Sequence, residues 1–153
     1  EKGKYTGLEQ VDGEYYPFSE ENGAIQEGMQ KMPDGTTRYY YNNGAFHRGW
    51  FYQNNQTYYF DEKNGSMVTG WQSISGATYY FQADGSMAIG WQQINGKWYY
   101  FNPATIGITG WNSQGLTWNF DIQKNQGIPQ GAMYKNQRTP DGYLVDEQGA
   151  WIQ

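Results

Sequence analysis

A chain of 153 residues has room for one ordinary domain, yet 19% of it is aromatic (15 Tyr, 7 Trp, 7 Phe), 21 residues are Gly and aliphatic side chains are scarce, so any core must be built from rings. The formal net charge is −5 with the 10 Lys and Arg scattered, which excludes the phosphate-neutralising stripe of a nucleic-acid partner, and the absence of Cys excludes disulfides, thiolate metal sites and Cys nucleophiles. No apolar run approaches the ~18 residues of a membrane helix. Mean hydropathy is −0.92, but disordered segments are poor in rings; a polar, aromatic, Gly-punctuated chain fits short strands and tight turns.

Read from the N-terminus, the chain repeats itself. A Gly followed by an apolar residue recurs at Gly7-Leu8, Gly28-Met29, Gly49-Trp50, Gly70-Trp71, Gly90-Trp91 and Gly110-Trp111, with a degenerate copy at Gly131-Ala132; the intervals are 21, 21, 21, 20, 20 and 21 residues. Repeats are expected near 7–27, 28–48, 49–69, 70–89, 90–109, 110–130 and 131–153. The clearest unit, Gly70 to Ile89, parses as strand, turn, strand and loop. Trp71 to Ile74 alternate as a half-buried strand does. Ser75-Gly76 is a two-residue hairpin turn, with counterparts at Asp12-Gly13, Asp34-Gly35, Asn54-Asn55, Asn95-Gly96 and Gln114-Gly115. Tyr79-Tyr80-Phe81 form the second strand, matched to Tyr39-Tyr40-Tyr41, Tyr58-Tyr59-Phe60 and Tyr99-Tyr100-Phe101. A polar loop with a second Gly follows, closed by Ile25, Phe46, Met67 or Met87.

A lone hairpin is marginal in water, so stability is expected from neighbours stacked along a line. The predicted fold is an all-β solenoid of about six to seven stacked hairpins of 20–21 residues with atypical terminal repeats. The first copy carries Pro17 inside a strand, an edge or bulge position; the last has Arg138-Thr139-Pro140 where aromatics would sit. No segment reads as a helix. The chain starts at Glu1 in what reads as the tail of a repeat, and we expect residues 1–153 to be a single solenoid excised from a longer protein.

The unit from Gly70 to Trp91, with its Gly-Trp, Tyr-Tyr-Phe and Asp-Gly-x-Met elements, resembles the cell-wall-binding repeat of Gram-positive bacteria. That superfamily includes choline-binding modules, glucan-binding repeats of glucansucrases and receptor-binding repeats of clostridial toxins. The resemblance implies a secreted or cell-surface module that docks a parent protein on an envelope polymer or glycan. In the choline-binding branch it implies an aromatic cage between consecutive hairpins. The cage is built from the Trp after Gly, an aromatic just before the Tyr pair, and a ring of the next repeat, often with a Met nearby. A quaternary ammonium donates no hydrogen bond, so ring faces must hold it. The position before the Tyr pair reads Tyr15, Arg38, Thr57, Thr78, Trp98 and Thr117 in successive copies. Arg38 would repel a cation, and Trp98 alone matches the choline pattern fully. The expected ligand-binding residues are therefore Trp91, Trp98, Tyr100, Trp111 and Trp118 at the junction of copies five and six, and Trp71, Tyr80, Met87 and Trp91 at that of copies four and five.

Each of these residues also has a packing role, because a Trp recurring at this period is first a rung of the column. His47 has no partner signalled nearby and is expected in an exposed loop. Asp34 and Asp84 are explained by their turns. A thin solenoid offers no deep cleft for a carboxylate pair; no catalytic residue, metal site or cofactor is expected. The functional reading is a non-catalytic cell-wall or carbohydrate-binding module. Choline recognition on teichoic acids is the first alternative and a structural spacer the second. No nucleic acid or membrane insertion is expected, and open solenoid ends suit a homodimer.

Overall fold

The computed structural model describes residues 7–11, 13–19, 23–103, 108–111, 117–120 and 128–153. Its strands run β1 (Gly7–Val11), β2 (Glu14–Phe18), β3 (Gly28–Lys31), β4 (Thr37–Tyr40), β5 (Gly49–Gln53), β6 (Gln56–Phe60), β7 (Gly70–Ile74), β8 (Ala77–Phe81), β9 (Gly90–Ile94), β10 (Lys97–Phe101), β11 (Ile108–Trp111), β12 (Thr117–Phe120), β13 (Gln137–Arg138) and β14 (Leu144–Val145). Each odd-numbered strand pairs antiparallel with the next, and among the described residues every sheet has 2 strands. No helix occurs among them, hence none long and apolar enough to cross a membrane. The all-β hairpin solenoid expected from the repeat is what the chain forms.

The tight turns are built as their residues demand. Asn54 and Asn55 have φ of 55° and 62°, Ser75 and Gly76 have 50° and 85°, and Asn95 and Gly96 have 53° and 82°. Two successive positive φ values match the right-handed twist of the flanking strands. The core is a line of rings: Tyr40, Phe51, Phe60, Phe81 and Phe101 are fully buried.

From β3–β4 onward, one main-chain bond recurs between successive hairpins of the column. After Phe81 the loop closes on itself, with Gln82 N–H donating to Ser86 O (2.8 Å) and Gly85 N–H to Gln82 O (2.8 Å). Met87 N–H then reaches back to Thr57 O of the preceding hairpin at 2.7 Å. Met67 N–H to Thr37 O (2.7 Å), Met133 N–H to Thr78 O (2.8 Å) and Trp151 N–H to Trp98 O (2.8 Å) repeat it. The column is thus stitched by loop N–H groups that have no partner within their own hairpin.

Two features differ from the sequence reading. In the second hairpin Asp34-Gly35 is not a two-residue turn: Gly35 N–H bonds Met32 O (2.9 Å) and Met32 N–H bonds Thr36 O (2.7 Å), which closes a longer loop. Gln30 therefore faces Arg38 and Lys31 faces Thr37, just as Phe51 faces Tyr58 and Tyr52 faces Thr57. Thr37, not Arg38, stands where Thr57, Thr78 and Trp98 stand, and Arg38 takes the place of Tyr58.

The second difference concerns Gly131. It opens no repeat. Asn102 N–H donates to Ala132 O (2.9 Å) and Gly131 N–H to Asn102 O (2.7 Å), so Pro129–Met133 closes the loop of hairpin β9–β10. Gly131 has φ of 85°, and a Cβ there would lie 2.3 Å from Met87 Sδ. Gly85 does the same above Met67. Hairpin β11–β12 forms, but it lies in chain between two consecutive turns of the column. The hairpin that follows β9–β10 in the column is β13–β14. Asn136, at φ of 53°, takes the left-handed position three residues after Met133 that Gly90 takes after Met87.

Candidate functional site

The register places four equivalent positions at each junction between successive hairpins of the column. They are the residue after the first Gly and the residue one step before the second-strand triplet, then the first residue of the next triplet and the residue closing the next loop. From the N-terminus these are Leu8, Tyr15, Arg38 and Phe46; Met29, Thr37, Tyr58 and Met67; Trp50, Thr57, Tyr79 and Met87; Trp71, Thr78, Tyr99 and Met133; and Trp91, Trp98, Tyr143 and Trp151. Only the last set carries a ring at every position; each earlier set carries one or two.

That last set lines an open cavity of about 330 Å³ formed by Trp91, Trp98, Tyr143 and Trp151. Trp91 and Tyr143 lie 5.9 Å apart between ring centroids, Trp91 and Trp151 6.5 Å, and Tyr143 and Trp151 5.8 Å. Their planes meet at 83°, 65° and 87°, so the rings stand as walls rather than as a stack. Trp98 is 38% exposed and Tyr143 48%. Large rings left this accessible, around a concave space, form a surface that no other described residue covers.

The Trp91 wall is held from behind. Trp91 packs against buried Tyr100 at 5.0 Å, and Tyr100 against Tyr134 at 5.2 Å. Trp91 Nε1 donates to Asp141 Oδ2 at 2.9 Å. Asp141 also accepts from Thr139 Oγ1. The Thr139 hydroxyl, and after it the Trp91 indole, holds the Asp141 carboxyl below its usual range. The carboxylate stays charged at the edge of the cavity. Burial, followed by the nearby Asp141 charge, pushes the Tyr100 phenol up, so it stays neutral behind Trp91. A concave space faced by four rings, with a fixed negative charge on its rim, is suited to a soft cation without N–H donors.

The structure brings together part of the expected site. Trp91 and Trp98 are both walls. Tyr100 backs a wall instead of being one. Trp71 and Tyr80, 5.1 Å apart, belong to the preceding junction, where Trp71 meets Tyr99 at 5.0 Å and remains 40% exposed. Met87 is buried with Tyr79 and Phe81, one junction further back, and seats Gly131. The side chains of Trp111 and Trp118 lie outside the described residues. On the backbone they belong to β11 and β12, which do not supply the hairpin that closes the cage. Tyr143 and Trp151 take that place and were missed. A signal for them exists: Gly44-Ala45-Phe46, Gly65-Ser66-Met67, Gly85-Ser86-Met87, Gly131-Ala132-Met133 and Gly149-Ala150-Trp151 share one pattern. Its last instance puts Trp151 where the methionines sit.

His47 differs from its expectation too. It is 6% exposed, with Nε2 2.6 Å from Trp50 O and Nδ1 2.6 Å from Tyr41 Oη. A carbonyl only accepts, so Nε2 carries the proton and neutral Nδ1 accepts from the phenol. Burial holds its pKa below the ordinary value and outweighs the Trp50 carbonyl and Glu62, which act the other way. It is a core residue that fixes the backbone beside Trp50.

A family model described as the choline-binding repeat matches residues 26–69 and 68–105. Among solved structures the chain is similar to CbpJ from Streptococcus pneumoniae TIGR4, at 31% identity and a TM-score of 0.53 over 97% of this chain and 48% of that one. It is likewise similar to choline binding protein F from Streptococcus pneumoniae, crystallised in the presence of a peptidoglycan analogue, at 29% identity and a TM-score of 0.53 over 97% and 47% of the two chains. It shares its fold with the pneumococcal cell wall endolysin from phage Cp-1 complexed with choline, at 20% identity and a TM-score of 0.50 over 100% and 39%. The chain thus spans about half the length of the first two. No curated protein matches it. With a repeated loop-and-strand unit, a four-ring junction at the end of the column and a family match over more than half its length, this chain belongs to the choline-binding repeat family.

Proposed function

We propose that this module binds the choline groups of a cell-wall polymer, such as teichoic acid, in the cavity between hairpins β9–β10 and β13–β14. In doing so it anchors a secreted parent protein to the bacterial surface. The observation that carries this reading is the four-ring set Trp91, Trp98, Tyr143 and Trp151. A trimethylammonium head presents only C–H surface, which spreads its positive charge. Ring faces attract that charge and strip its water, at about 0.5–2 kcal/mol per face. Asp141 adds a negative potential at the mouth, and the chain's net charge of −5 acts in the same sense. The role is binding rather than catalysis: the rings orient and desolvate a ligand.

A glycan ligand is the competing reading, supported by exposed Trp71 beside Thr78, a ring face with a small polar neighbour. Choline titration followed by Trp fluorescence separates the two. Saturable quenching in the wild type, shifted to higher choline concentration in Trp98→Ala and unchanged in Trp71→Ala, supports the cage. No response to choline, with retardation by an α-glucan in native gels that Trp71→Ala abolishes, overturns it.

A further inference from the structure

The junction at the opposite end of the column carries its own cation. Between hairpins β1–β2 and β3–β4 the four positions are Leu8, Tyr15, Arg38 and Phe46. Arg38 stands where Tyr58, Tyr79, Tyr99 and Tyr143 stand at the later junctions. Its guanidinium carbon lies 4.2 Å from the centroid of Phe46, the ring equivalent to Trp151 of the C-terminal cage. Arg38 Nη1 donates to Tyr40 Oη at 3.0 Å and pairs with Glu14 Oε1 at 3.2 Å. Tyr40 Oη in turn donates to the carbonyl of Tyr15 at 2.6 Å. The Arg38 side chain is only 16% exposed. A positive charge is thus seated on a ring face, faced by a carboxylate and largely removed from solvent, at a position that lines an open cavity at the other end.

We infer that the N-terminal junction is a cation cage filled from within: the Arg38 guanidinium occupies it as a built-in ligand and closes it to quaternary ammonium groups. This rests on the reading of these four positions as a cation site. The consequence is an asymmetric module. Its N-terminal junction is held together whether or not ligand is present, and its ligand-bearing capacity lies toward the C-terminus. The reading of Arg38 as a residue that merely repels a cation is thereby sharpened, since it replaces one.

The test is to vacate the cage and offer it a free cation. Arg38→Ala removes this guanidinium and leaves Leu8, Tyr15 and Phe46, with Arg48 still 4.5 Å from the Phe46 centroid. Arg38→Tyr supplies the ring found at the other junctions and keeps the column packed if the alanine variant fails to fold. Both are made in a Trp98→Ala background, which weakens the C-terminal cage and serves as the baseline, and melted against increasing tetramethylammonium chloride with sodium chloride as the ionic-strength control. The expected result is a saturable rise in Tm, about 3–6 °C at tenfold excess over Kd, that both Arg38 variants show beyond any response of Trp98→Ala alone. Equal responses in all three proteins overturn the inference. A wild type indifferent to choline alongside responsive Arg38 variants would sink the proposed function and leave the filled cage standing.

Discussion

The main-chain N–H of Trp151 donates to the carbonyl of Trp98 at 2.8 Å. One bond therefore ties the strand carrying one wall of the cage to the loop carrying another. The same bond links Met87 to Thr57 and Met133 to Thr78. The column and the cage are thus made by one device, and what differs between junctions is the side chains it brings together.

Because that bond is main-chain, the walls can be exchanged without unstitching the column. Trp98→Ala removes a ring that is 38% exposed, so stability should change little while choline affinity falls by about 2- to 30-fold, the worth of one ring face. Trp151→Met restores the residue type of the preceding junctions and should weaken choline less. Fluorescence titration gives the affinities and urea unfolding the stabilities.

The preceding junction lacks one wall. Trp71, Tyr99 and Met133 are in place, and Thr78 sits where Trp98 sits. Thr78→Trp keeps the Met133 N–H bond to its carbonyl and adds the missing ring. The expected outcome is one additional choline site per chain by equilibrium dialysis. Thr57→Trp should be less effective, because Thr57 is 5% exposed and leaves no room.

Gly131 and Gly76 both have φ of 85°, but a Cβ on Gly131 would meet Met87 Sδ at 2.3 Å whereas one on Gly76 meets nothing within 4 Å. Gly76→Ala should cost about 1–2 kcal/mol for the left-handed backbone alone. Gly131→Ala should cost about 1–3 kcal/mol more, the price of overpacking. Equal losses in urea unfolding would show that Gly131 does not seat Met87.

His47 gives the fold a pH dependence near neutrality. Burial lowers its folded pKa below the ordinary 6.5, so the unfolded chain binds the proton more readily. Its contribution to stability is full above pH 6.5 and declines as pH falls toward the folded value. The lowered carboxylates Asp34, Asp61, Asp84 and Asp141 act only further down, below their ordinary 3.8. Unfolding free energy measured across about pH 5–8 should rise with pH in the wild type and be flat in His47→Gln.

Much of this architecture is readable from residues that act locally. The Asn-Asn, Ser-Gly and Asn-Gly pairs name their turns because few other residues tolerate two successive positive φ values. Trp91 and Trp98 could be paired from the chain alone, because they sit on facing strands of one hairpin. Arg38 is displaced by one position when the run Tyr39-Tyr40-Tyr41 is matched to Tyr58-Tyr59-Phe60; the pairing makes Arg38-Tyr39-Tyr40 the triplet, and the run of three Tyr hides this.

What the sequence determined by itself is the hairpin: its period, its turns, its all-β character and the ring-rich face that makes a lone copy insufficient. What only the tertiary structure decided is which hairpin follows which. Gly110 and Gly131 both lie at the expected interval, and nothing local distinguishes a glycine that opens a repeat from one that closes a loop. The choice is made at a distance, by Met87 needing a neighbour without a Cβ and by Thr78 O needing the N–H of Met133. Those contacts bring β13–β14 onto β9–β10. They place Tyr143 and Trp151 opposite Trp91 and Trp98.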